Sequence, residues 1–218
     1  VVNKPQGQAC HPLRAGETGT VASAVVARFP SCAQAAQPVR EGGVCHRLDT
    51  DTSGVLLFAK TPTAWQLLRA DFAEGRIDKE YLALVVGNPT DDEFDVTLPL
   101  LSGRNGSPKM QVATTPEEIY HPAALDAHTC FSVEQRGPEH TLLRVIAKTG
   151  RRHQIRAHLS HLGLPIVGDP IYGQSEPGGQ FLHASRLTFP SPSQPERRIH
   201  VDAPLPADRA ALLAKLTP

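Results

Sequence analysis

A chain of 218 residues and 23.5 kDa, 40% hydrophobic and 20% charged, is long enough to bury a core without disulfide or metal staples, and these proportions exclude wholesale disorder. Lysine plus arginine (22) balance aspartate plus glutamate (22), which excludes a uniformly basic nucleic-acid binder. Twenty prolines are nearly twice the usual share of about 5%, so many turns are expected and an all-helical bundle is excluded.

In chain order, a strand-like start at Val1 runs into a turn at Lys4-Pro5-Gln6-Gly7. Residues 20–29 suit a short helix. A loop then ends in Cys45-His46-Arg47-Leu48-Asp49, and Gly54 to Ala59 reads as a buried strand. Thr61-Pro62 predicts a helix start, with Ala64, Leu67, Leu68 and Phe72 at helical spacing up to Gly75. Tyr81 to Val86 is the next strand. Residues 88–124, acidic and weakly patterned, read as a long excursion with short strands. Ala124 to Gln135 and His140 to Lys148 form a predicted hairpin around Arg136-Gly137-Pro138. After Thr149-Gly150 a helix with the stripe Ile155, Leu159 and Leu162 stops at Gly163. Strands at 181–189 and 198–202 and an amphipathic helix from Ala207 to Leu216 close the chain. Strands outnumber helices and the hairpins are antiparallel, so the expected class is α+β.

Charge is unevenly spread. From Arg144 to His161 there are five arginines or lysines, three histidines and no acid, whereas Asp71 to Asp126 holds eleven acids and four bases. That asymmetry suits an anion-binding face set in an acidic periphery. Cys10, Cys32, Cys45 and Cys130 are too scattered for a zinc knuckle or a redox pair, and reduced thiols are expected. No apolar run reaches the roughly 18 to 20 residues that span a bilayer, and no secretory signal is present. The opening Val1-Val2-Asn3, without methionine, is read as a trimmed start.

Three constellations could carry chemistry. His46-Arg47-Leu48-Asp49-Thr50-Asp51-Thr52-Ser53-Gly54 sets two carboxylates, a guanidinium and hydroxyls on a loop feeding a buried strand. A polar turn capped by its own Asp and Thr side chains explains the same residues. So does half of a dimeric aspartic hydrolase acting through Asp51, although Asp51-Thr52-Ser53-Gly54 has one residue too many. The second constellation is Thr149-Gly150-Arg151-Arg152-His153-Gln154-Ile155-Arg156-Ala157-His158-Leu159. It pairs a helix N-terminus with arginines and so suits a phosphate, and the alternative is a basic surface helix. His153, His158 and His161 lack the spacing and the glutamate of a metalloprotease, and no metal is expected. Lys79-Glu80-Tyr81 is the third, where simple packing of the tyrosine is the plainer reading. No glycine-rich nucleotide loop and no Gly-x-Ser-x-Gly elbow occur, so no cofactor is expected.

Together these segments resemble the RluA family of pseudouridine synthases nearly end to end. Val1 to Gly7 is similar to that family's opening strand and Lys-Pro-x-Gly turn, and His46 to Gly54 to its His-Arg-Leu-Asp-x-x-Thr-Ser-Gly loop. Lys79-Glu80-Tyr81 resembles its Lys-x-Tyr segment, and Gly150 to Leu159 its Gly-Arg-x-His-Gln-Ile-Arg-x-His-Leu helix. Gly168 to Gly173, Leu182-His183-Ala184 and Ala203 to Pro206 also fit.

The resemblance implies a single pseudouridine synthase catalytic domain over 1–218, with a mixed, largely antiparallel sheet flanked by helices and loops and an RNA-binding cleft. It implies an isomerase that converts uridine to pseudouridine in ribosomal or transfer RNA without metal or cofactor, as a cytoplasmic monomer. Asp49 takes the place of the catalytic carboxylate, Arg156 that of its partner, and Tyr81 that of the residue stacked on uracil. A guanidinium beside a carboxylate lowers its pKa by about 1 to 3 units, which suits a group that must act ionised. Arg47 resembles the arginine that fills the place of the flipped base, at an unstacking cost of a few kcal/mol. Arg151, Arg152 and Lys79 would hold phosphates, with His153 and Ile155 also expected to bind RNA. No S4-type domain precedes these motifs, and residues 88–124 match none of them. An idle RNA-binding factor on the same scaffold is the alternative of another class.

Overall fold

The computed structural model describes residues 1–103 and 107–216, which divide into two compact units. Ten strands and five α-helices are present among them.

The first unit comprises Val1–Asp78 and Ala184–Pro204. Strand β1 (Val2–Lys4) pairs antiparallel with β2 (Ser53–Leu56), with Asn3 opposite Val55. Beside β2 lies β9 (Leu182–Ser191), which pairs antiparallel with β10 (Gln194–Asp202). Gly54 has φ +114°, and a Cβ there would sit 2.1 Å from the Ala184 carbonyl oxygen, so only glycine lets β2 approach this closely. Helix α1 (Val21–Arg28) starts where the Thr20 hydroxyl accepts the Ser23 N–H at 3.2 Å. Helix α2 (Pro62–Ala73) starts with Thr61 as N-cap and proline in its first turn, as its sequence predicts. It buries Leu68 and packs Trp65 and Phe72 against Val55, Leu57, Leu187 and Phe189, which form this unit's core.

The second unit comprises Lys79–His183 and Leu205–Pro218. Strands β3 (Asp78–Val86), β8 (His140–Ala147), β7 (Thr129–Arg136) and β4 (Glu93–Val96) lie in that order, each antiparallel to its neighbour. Ala83, Leu84 and Val85 are buried in succession because residues 165–167 and Phe181 cover their strand. Helix α4 (Gln154–His161) drives Ile155 and Leu159 into that core, while Leu205 and Leu212 from around helix α5 (Ala207–Leu216) pack on it. A small hairpin, β5 (Leu100–Ser102) with β6 (Met110–Val112), covers a second cluster of Leu100, Met110, Ala127, Ala157 and Tyr172. Helix α3 (Pro116–Ile119) is a single turn closed by a Thr115–Glu118 capping box.

The α+β, mostly antiparallel class is as the sequence predicts. Boundaries differ where pairing overrides pattern. Strand β2 ends at Leu56 rather than Ala59, because beyond it the chain meets residues 43–46 through an isolated bridge at Val44 and scattered hydrogen bonds rather than a continuous ladder. Strand β7 starts at Thr129 rather than Ala124, since Leu125 pairs with Leu100 instead. Strand β10 extends back to Gln194 across a register shift. Two 3-10 turns, Pro30–Gln34 and Val39–Glu41, occupy what reads as plain loop.

Candidate active site

The predicted site residues fall in both units: Arg47 and Asp49 in the first, and Lys79, Tyr81, Arg151, Arg152, His153, Ile155 and Arg156 in the second.

In the first unit, residues 49–52 form a turn in which the Thr52 N–H donates to the Asp49 carbonyl at 3.1 Å. Asp49 is half-buried and Arg47 exposed. The peptide groups on either side of Asp49 are held by side chains from the opening segment. On one side the Leu48 N–H donates to the Cys10 Sγ at 3.2 Å, and the Cys10 thiol donates to the Leu48 carbonyl at 3.2 Å. On the other, the Lys4 Nζ donates to the Thr50 carbonyl at 2.7 Å and to the carbonyls of Gln8 (2.6 Å) and Pro5 (2.9 Å). Lys4 is fully buried, and three carbonyl acceptors match the three donors of its ammonium. Burial lowers its pKa, against the opposing pull of Cys10, Asp51 and Asp49. Burial likewise pushes the Cys10 thiol up, so it remains a protonated donor. At the loop's start, the Leu57 N–H donates to the His46 Nε2 at 3.2 Å, and the imidazole lies 4.7 Å from the Phe72 ring. Asp49 thus rides on a backbone pinned both before and after it.

In the second unit the Thr149–Leu159 segment is built around Gln154. Its Oε1 accepts from the Thr149 hydroxyl (2.7 Å) and the Arg151 N–H (3.0 Å). Its Nε2 donates to the His128 carbonyl (3.0 Å) and the Thr129 hydroxyl (2.9 Å). Thr129 Oγ1, accepting from Gln154, turns its own proton to the His158 Nδ1 at 2.9 Å. The His158 Nε2–H then donates to the Leu98 carbonyl at 3.0 Å, which fixes a neutral imidazole. Burial lowers the His158 pKa further from its ordinary value than the Leu98 carbonyl can restore, and His161 and His128 add to the lowering. Gln154 and His158 are therefore the frame that seats α4 on β7. His153, at the N-cap of α4, has φ +54°, a left-handed conformation rare for a residue with a side chain.

Arg156 is buried, and its guanidinium grips Asp169 at two points: Nε to Oδ2 at 2.7 Å and Nη2 to Oδ1 at 2.8 Å. The Tyr172 ring lies 5.2 Å from the Arg156 guanidinium carbon. Lys79 is buried at the start of β3, with Nζ donating to the Thr149 carbonyl at 3.0 Å. Tyr81, opposite Val145 on β3, is half-buried against the core. Arg151 and Arg152 are exposed, their guanidinium groups donating to the carbonyls of Asp126 (2.8 Å) and Pro108 (2.9 Å). Ile155 lies in the hydrophobic core at 6% exposure, where its side chain serves packing.

Four residues of consequence escape a reading for reactive groups: Lys4, Cys10, Asp169 and Tyr172. The sequence signal for Asp169 and Tyr172 was the Gly168–Gly173 segment, which fits the family pattern but carries no chemistry until Arg156 is seen beside it.

The RNA pseudouridylate synthase family model matches residues 1–161, a span that includes the Asp49 loop, the β3 start and the Arg156 helix. An uncharacterized RNA pseudouridine synthase of Chloroflexus aurantiacus is 37% identical over 98% of this chain and 65% of its own length. The uncharacterized RNA pseudouridine synthase YlyB of Bacillus subtilis is 34% identical over 99% and 69%. Ribosomal large subunit pseudouridine synthase D of Xanthomonas campestris is 35% identical over 99% and 66%. The chain thus spans about two thirds of the length of these relatives. In fold it is similar to human RNA Pseudouridylate Synthase Domain Containing 4, with a TM-score of 0.74 at 22% identity over 98% of this chain and 88% of the other. Human RNA Pseudouridylate Synthase Domain Containing 1 gives 0.70 at 23% identity over 100% and 91%. The chain belongs to the RluA-type family of RNA pseudouridine synthases. No helix among the described residues is long and apolar enough to cross a membrane.

Proposed function

We propose that this chain carries the catalytic machinery of an RNA pseudouridine synthase, isomerising uridine to pseudouridine within an RNA chain. The observation that carries the reading is the family match over residues 1–161 together with the pinned backbone on both sides of Asp49. In this reading the glycosidic bond from ribose C1′ to uracil N1 breaks, the uracil turns, C5 bonds to the same C1′, the C5 proton goes to solvent and N1 takes one up. Atoms balance without a cofactor. Asp49 acts ionised, either by attacking C1′ or by assisting elimination at the 2′ position, and Arg156 is its cationic partner. Tyr81 stacks on the uracil and assists removal of the C5 proton. Arg47 fills the place the base leaves, and Arg151 and Arg152 contribute the positive field that holds the RNA backbone, with Lys79 and His153 beside them.

The two units work as one catalytic domain on this reading, and the protein acts as a cytoplasmic monomer. Ribosomal RNA is favoured over transfer RNA as the substrate, because several relatives carry the name ribosomal large subunit pseudouridine synthase D. The test is release of tritium from RNA labelled at uridine C5. Release into water from ribosomal RNA supports both parts of the reading. Release from transfer RNA alone would overturn the substrate, and no release from either would overturn the reaction.

A further inference from the structure

The Arg156–Asp169 pair is expensive to bury. Its side chains are 5% and 0% exposed, and a well-packed apolar pair of similar size is often as stable as a buried ion pair, or more so. Stability alone therefore gives little reason for the pair, whereas geometry gives a good one. The Asp169 carboxylate is itself fixed: Oδ1 also accepts the N–H of Ile171 (2.9 Å) and Tyr172 (3.1 Å), and the Gly173 N–H closes the turn onto the Asp169 carbonyl at 3.1 Å. Gly168, just before it, has φ +74°, with no room for a Cβ against the Gly179 carbonyl. Burial pushes the Asp169 pKa up, but the Arg156 hydrogen bonds and charge and the two backbone donors outweigh it and hold the carboxyl below its ordinary range.

The same turn places Tyr172. Its ring lies against Arg156, and its hydroxyl accepts the Met110 N–H at 2.7 Å and donates to the Met110 carbonyl at 3.3 Å. Lys109 sits 5.1 Å from that ring, His153 Nδ1 lies 3.3 Å from the hydroxyl, and Arg152 is the other cation felt there.

We propose that Asp169 is a positioning residue: it holds one edge of Arg156, Nε and Nη2, so that the guanidinium is fixed in a single direction, while Tyr172 ties it to the β5–β6 hairpin. The proposal rests on the reading that Arg156 serves the reaction. It makes the β6 strand, through Met110 and the neighbouring Lys109, a structural support of that cation.

The experiment compares wild type, Asp169→Asn and Asp169→Glu in single-turnover tritium release and RNA affinity. Asparagine keeps the shape but sets a donor against one guanidinium N–H. Glutamate keeps the charge and moves the grip by one methylene. The expected result is a fall in rate of about 100-fold for Asn and about 10-fold for Glu, with RNA affinity within about threefold. A fall in rate with RNA affinity retained, partly rescued by the charge-keeping glutamate, is a split that a purely structural role does not produce.

Rates within threefold of wild type in both folded variants would overturn the proposal and leave the isomerase reading intact. A fall in rate matched by lost RNA affinity, with no rescue by the glutamate variant, would assign the pair to structure and overturn it too. If the Asn variant does not fold, the charge-keeping Glu variant decides, and failure of both to fold assigns the pair to stability. Absence of release by wild type overturns the isomerase reading first, and the proposal with it.

Discussion

Lys4→Met removes the buried ammonium that holds the loop carrying Asp49. Three bonds are lost, to the carbonyls of Pro5, Gln8 and Thr50, all from a charged donor at 2.9 Å or less. Hydrogen bonds of charged groups contribute about 1.5 to 3 kcal/mol each, which gives a gross loss of roughly 5 to 9 kcal/mol. Against this, methionine fills the space without the several kcal/mol needed to strip water from an ammonium. Pro5 is exposed and Gln8 half-exposed, so water recovers part of the loss at their carbonyls. The net destabilisation expected is about 2 to 4 kcal/mol, or roughly 4 to 16 °C in Tm at about 2 to 4 °C per kcal/mol for a chain of this size. Chemical denaturation followed by circular dichroism measures the stability, and tritium release at a temperature where the variant is fully folded measures the rate. The rate should fall at least tenfold, because the Thr50 peptide next to Asp49 loses its tether. A variant as stable as wild type, or one destabilised but fully active when folded, would refute the clamp.

Other outcomes follow from single contacts. Tyr172→Phe leaves the buried Met110 N–H without its 2.7 Å acceptor and should cost about 1 to 3 kcal/mol in denaturant unfolding; an unchanged midpoint would contradict the bond. Gly54→Ala places a methyl 2.1 Å from the Ala184 carbonyl oxygen in a left-handed conformation, so a loss of about 3 kcal/mol or more is expected, read as a collapse in soluble yield or Tm. Burial holds the folded His158 pKa below its unfolded value near 6.5. Its contribution to stability is therefore fully present above pH 6.5 and lost as pH falls through the lowered folded value, and the stability profile of His158→Gln should be flatter across that window. Arg152→Ala should weaken RNA binding about equally across sequences and reduce the salt dependence of log Kd by about one charge, measured by titration at several salt concentrations.

What the sequence made legible is what local patterns determine. Helix α2 announces itself through Thr61-Pro62 and the spacing of Ala64, Leu68 and Phe72, and the β7–β8 hairpin through alternation around Arg136-Gly137-Pro138. The Asp49 loop and the Arg156 helix were visible as motifs, but the roles within them were not. Gln154 and His158 read as polar groups on a basic helix, yet they form a buried frame through Thr129, a residue 25 to 29 positions away. Lys4 reads only as the first residue of a turn, because nothing local shows that three carbonyls from two segments converge on it. Arg156 reads as a cation seeking a phosphate or the Asp49 carboxylate, and its grip on Asp169, 13 residues on, depends on the Gly168 turn bringing the chain back. The β4, β5 and β6 strands, three or four residues each, are too short for any period to declare and are set by their partners across the sheets.

Asp49→Ala against wild type, in tritium release from ribosomal RNA labelled at uridine C5, addresses the central claim most directly. Release by wild type, none by the variant and RNA affinity within a few-fold between the two is the expected result. Full turnover by Asp49→Ala would contradict the assignment of the catalytic carboxylate.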